Sequence, residues 1–71
     1  MPADLVEIVV NGERTRIPPG LTVGALLSTL GIAADGVAVE LNKAIVRKRD
    51  WESTNVPSGA HIEVVQFVGG G

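Results

Sequence analysis

Apolar, β-branched side chains dominate Leu5-Val6-Glu7-Ile8-Val9-Val10, and the run breaks at Asn11-Gly12, the strongest short signal for a two-residue hairpin turn. The following Glu13-Arg14-Thr15-Arg16-Ile17 alternates charged and less polar positions, as a strand with one wet face does, and Pro18-Pro19-Gly20 ends it. The period then changes. Thr22 offers a side-chain oxygen as an N-cap, Val23, Leu26, Leu27 and Leu30 fall on one helical stripe, and Gly31 stands where a helix C′ residue belongs. Gly24 inside this helix costs about 1 kcal/mol relative to alanine, so packing of the stripe must supply the difference. After Asp35-Gly36 the period returns to two. Val37, Val39 and Leu41 form an inward set, a turn follows at Asn42-Lys43, and Ala44-Ile45-Val46 is a short strand. Pro57-Ser58-Gly59 makes the final turn before a last strand from Ile62 to Val68. The predicted order is hairpin, helix, two short strands and last strand, an α+β layout with one helix across one face of a mixed sheet.

Composition narrows the function more than the fold. A chain of 71 residues can bury only about 60% of its unfolded surface, which leaves room for one small core. Six Lys plus Arg against eight Asp plus Glu give a net charge of −2, so neither nucleic acid nor an anionic membrane is an expected partner. With no cysteine there is no disulfide or thiolate metal site, which favours a reducing compartment. Met1-Pro2-Ala3-Asp4 lacks the features of a signal peptide, and the expectation is a cytoplasmic protein, monomeric when free.

Alternation within the last strand separates its two faces. If Ile62 and Val64 point to the helix, Val65 and Phe67 point away from it, where a lone domain has no use for apolar side chains; with Val68 they are the candidate partner-binding residues. Gly69-Gly70-Gly71 follow directly. Lacking Cβ atoms, these peptides can lie extended in a slot too narrow for other residues and present the Gly71 carboxylate to a partner's active site. The predicted division is a domain over residues 1–68 and a flexible glycine tail over 69–71. A phosphate cradle would need a helix after these glycines, and none follows in this sequence.

Other candidate chemistry is weak. His61 stands alone at a strand start, without a clustered acid or second histidine. Asp35, Asp50 and Glu52 fall in predicted turns with no apolar pocket to shift them, and Ser28 and Thr29 have no histidine to activate them. Arg47-Lys48-Arg49 reads as a wet face that could also dock an acidic groove, and Trp51 as a plug at the core edge. No catalytic residue, metal site or bound cofactor is expected.

A chain of this size with a ββαββ pattern and a glycine-terminated last strand resembles the ubiquitin-like β-grasp family, and within it the ThiS sulfur carriers of thiamine biosynthesis. The features that carry the resemblance are Asn11-Gly12, Leu21-Thr22-Val23 with Leu26-Leu27, Val39-Glu40-Leu41-Asn42, Ile45-Val46, Trp51, and the ending from Val64 to Gly71. Arg47 stands where these carriers commonly have proline, and Ala60-His61 where Gly-Asp is usual. The resemblance implies that Gly71 is adenylated by an ATP-dependent activating enzyme of the ubiquitin-activating type, converted to a thiocarboxylate, and used by thiazole synthase as a sulfur source. ATP would be consumed by that partner and not held by the carrier. The small subunit of molybdopterin synthase, which uses the same terminal chemistry, a protein modifier joined to lysine, and a non-covalent binding module are the alternatives.

Overall fold

The computed structural model describes residues 4–67. Among these, β1 (Val6–Val10) and β2 (Glu13–Ile17) form an antiparallel hairpin, and the helix α1 (Val23–Thr29) follows. Strands β3 (Val37–Leu41) and β4 (Ala44–Val46) form a second hairpin, a 3-10 turn covers Lys48–Asp50, and β5 (His61–Gln66) comes last. The five strands make one mixed sheet in the order β2-β1-β5-β3-β4. Central β5 runs parallel to β1 and antiparallel to β3. The arrangement is the expected ubiquitin-like β-grasp; the short β4 is a strand that the ββαββ shorthand does not count.

Both hairpins turn through two left-handed residues. Asn11 and Gly12 have φ of 49° and 84°, and Asn42 and Lys43 have φ of 51° and 72°. Such turns match the twist of the strands they join, and asparagine tolerates the conformation better than other side chains with a Cβ.

The helix begins and ends as its residues dictate. Thr22 Oγ1 accepts from Ala25 N at 3.1 Å. At the other end Gly31, at φ 74°, donates to Ser28 O at 3.1 Å while Ile32 donates to Leu27 O at 2.9 Å, the paired bonds of a Schellman cap. Gly24 leaves room beside the first turn: a Cβ there would collide with the carboxylate end of the Glu52 side chain. Val23, Leu26 and Leu27 are buried against Ile8, Ile17, Val39 and Ile62 from the sheet. Leu30, Val37, Leu41 and Val64 pack around this core, as the predicted inward faces require.

Trp51 is buried and its Nε1 donates to Val46 O at 2.9 Å, so it does plug the core edge, with its polar atom satisfied. Ala60, at a position of difference from the usual carrier pattern, is also buried, and its carbonyl accepts from Val9 N at 2.9 Å. The last strand starts one residue earlier than predicted and ends at Gln66. Val68, the domain boundary at residue 68 and the glycines at 69–71 lie outside the described residues.

Candidate functional site

With the helix on one side, the other side of the sheet carries no layer of its own among the described residues. Register assigns the side chains on it. Val65 in β5 faces Ala38 in β3, and Glu63 faces Glu40, which in turn faces Ile45 in β4. Toward the opposite edge, Val9 faces Arg14 and Glu7 faces Arg16. The open face is thus basic along β2, acidic at its middle, and apolar where β5 leaves the sheet.

The predicted outward residues are where alternation put them. Val65 is 55% exposed and Phe67 is 62% exposed, while Ile62 and Val64 turn to the core. Phe67 lies just past β5, and its N–H donates to Gly36 O at 2.7 Å, which fixes its backbone to the start of β3. Ile45, 73% exposed on the same face, was not singled out from the sequence. The inward Val46 beside it in a three-residue strand was the available signal. Exposed apolar side chains collected at the exit of one strand are an unfavourable surface for a lone domain and a usable one for docking.

Two asparagines grip β5 from its two neighbours. From the β3–β4 turn, Asn42 N donates to His61 O at 2.7 Å and Asn42 Oδ1 accepts from His61 N at 2.9 Å. From the β1–β2 turn, Asn11 N donates to Ile62 O at 2.8 Å, Asn11 Oδ1 accepts from Val64 N at 2.8 Å, and Asn11 Nδ2 donates to Val64 O at 3.3 Å.

Of the remaining sequence candidates, His61 lies on this strand and the charged ones lie in the loops. His61 borders a hollow of about 620 Å³ with Glu40, Asn42, Lys43 and Glu63. Its hydrogen bonds to Asn42 are made by its backbone. Within the basic stretch, Lys48 Nζ donates to Asp35 Oδ1 at 2.9 Å; this hydrogen bond and the attraction of the ammonium charge hold the Asp35 carboxyl below the usual carboxylate range. Arg49 stands 4.0 Å from Asp50. Both pairs are exposed. No helix among the described residues is long and apolar enough to cross a membrane.

The ThiS family model matches residues 1–71. The chain belongs to the ThiS family. A crystal structure of the thiamine biosynthesis protein ThiS from Geobacter metallireducens superposes with a TM-score of 0.82 at 35% identity, over 92% of this chain and 99% of that one. The NMR solution structure of a thiamine biosynthesis protein from the same organism gives 0.75 at 34% identity, over 92% and 87% of the two chains. Among curated relatives, a thiazole synthase from Paramagnetospirillum magneticum is 41% identical over 66 residues, which is 93% of this chain and 20% of that protein. This chain therefore spans about a fifth of the length of the curated relatives it matches first.

Proposed function

We propose that this chain is a sulfur carrier of thiamine biosynthesis whose reacting group is the carboxylate of Gly71. The observation that carries the reading is membership of the ThiS family along the whole sequence. The position of the exposed Val65 and Phe67, just ahead of the glycines in sequence, supports it. A carboxylate is a poor electrophile until one oxygen becomes a good leaving group. In the proposed sequence a Gly71 carboxylate oxygen attacks the α-phosphorus of ATP held by an adenylating partner, and pyrophosphate leaves. A sulfide-level donor then attacks the acyl carbon, AMP leaves, and the thiocarboxylate remains as a sulfur nucleophile on a protein handle.

The carrier needs no acid, base or metal of its own for these steps, because the activating partner supplies them. What it must supply is docking and reach. Val65, Phe67 and Val68 are proposed to seat on the partner, with Gly69 and Gly70 as the thin segment that enters its channel. Thiazole synthase is the proposed consumer of the sulfur, supported by relatives of that name that contain a segment like this one.

ATP–pyrophosphate exchange with the cognate adenylating enzyme tests the reading. In-line attack requires reacting atoms about 3 to 3.5 Å apart, and one added residue displaces the carboxylate by about 3.3 Å. Appending one alanine after Gly71, or deleting Gly71, should abolish exchange without changing circular dichroism or Tm. Wild-type exchange by the extended protein would remove the terminal carboxylate from the mechanism. The intact mass of protein isolated without alkylating reagents gives an independent answer: one oxygen replaced by sulfur for a carrier, an isopeptide conjugate for a modifier, no change for a binding module.

A further inference from the structure

We infer that Asn11 is a positioning residue: its side-chain amide holds the main chain at Val64 from the β1 side and, with the β3 ladder on the other side, sets the direction in which Val65 to Phe67 run. Strand β1 pairs with β5 only at Val9–His61 and Val10–Ile62, and then turns away. At Asn11 the φ of 49° swings the backbone out of the ladder. Had β1 continued, its main chain would have supplied the next acceptor and donor to β5. Asn11 supplies both from one side chain, Oδ1 taking Val64 N–H and Nδ2 reaching Val64 C=O. The amide copies a peptide group where the peptide itself has turned aside. Beyond Val64, the next outward residues are Val65 and Phe67, so this clip is the last hold on the β1 side before the docking residues.

Asn42 is its counterpart at the other end of the strand. It sits in the same kind of turn with a φ of 51°, and its Oδ1 likewise replaces a backbone acceptor, toward His61. The two residues share side chain, turn geometry and target strand, and differ in which end of β5 they secure. If loss of the Asn11 clip leaves only a fraction of carriers with the exit direction the partner accepts, apparent affinity falls by that fraction while the bound complex reacts as before. This functional half rests on the carrier reading; the structural half does not.

The test uses the full chain as wild type and as Asn11→Gly, Asn11→Asp and Asn42→Gly. Glycine and aspartate both keep the left-handed turn, and aspartate also keeps the acceptor for Val64 N–H. Asn11→Gly should speed hydrogen exchange of the Val64 amide, reduce residual dipolar couplings at Val65 and Phe67, and raise the carrier KM in ATP–pyrophosphate exchange about tenfold at unchanged kcat, as expected if a tenth of the molecules stay competent. Asn42→Gly should speed His61 exchange while leaving the KM alone. Asn11→Asp should keep most Val64 protection and give an intermediate KM; it also replaces the glycine variant should that one not fold. An unchanged KM in the Asn11 variants, or an equal rise in Asn42→Gly, overturns the inference. If wild type itself gives no exchange, the carrier reading falls, and the couplings at Val65 and Phe67 decide alone: reduced in the Asn11 variants they uphold the positioning role, unchanged they overturn it.

Discussion

Asp35 and Lys48 come from loops thirteen residues apart and meet at 2.9 Å on the surface. Because the pair lowers the folded-state pKa of Asp35, its contribution is present above the ordinary carboxylate range and is lost as pH falls through the folded value. Lys48→Ala should therefore move the Asp35 titration up toward an ordinary carboxylate, as followed by carbon-13 NMR. Tm at neutral pH should hardly change, since both groups are exposed and solvent screens them. Of the three adjacent cations, Lys48 is engaged within the domain, a pairing that no spacing rule announces because it depends on how two loops are folded together. The asparagines teach the same lesson. Asn11-Gly12 was legible as a hairpin turn, since few residues accept φ near 50°. That the same side chain would extend a ladder to Val64, 53 residues away, was not, because it depends on β5 lying beside β1.

Seven residues are too few for an isolated helix to persist in water, so α1 exists because its apolar stripe is covered. Leu26→Ala removes a side chain with no exposed surface and should cost about 2 to 5 kcal/mol, measured by urea unfolding. Trp51→Phe keeps an aromatic plug but strands the Val46 carbonyl, and should cost about 1 to 3 kcal/mol in the same assay. The helix was readable to within its caps because the threonine, the stripe and the closing glycine agreed and outweighed Gly24 inside it. The 3-10 turn at Lys48–Asp50 was not, as three charged residues carry no periodic signal. Its backbone is tied instead by Asp50 N to Arg47 O at 2.8 Å and Trp51 N to Lys48 O at 3.1 Å, which set Trp51 for its place in the core.

At the scale of the molecule, the core lies on the helix side of the sheet, closed by Trp51, Val56 and Ala60 from the segment before β5, so the open face can change without loss of the fold. Val65→Glu or Phe67→Glu should leave Tm nearly unchanged and, on the proposed carrier reading, weaken binding to the proposed adenylating partner or thiazole synthase by about 1 to 2 kcal/mol or more each, measured by calorimetry. Unfolding of either variant would instead place these side chains in the core. The strand order carries one more consequence. The β1–β2 and β3–β4 hairpins are each local in sequence, yet they join one sheet only through β5, which comes after both. A chain emerging from the ribosome can close either hairpin early, but neither has its neighbour until the final strand arrives to be zipped between them. Assembly of the sheet thus waits for β5. The strand that completes the sheet also carries Val65 and leads into Phe67, so the exposed apolar face is not assembled before β5 is in place: closing the sheet and presenting that face are one event.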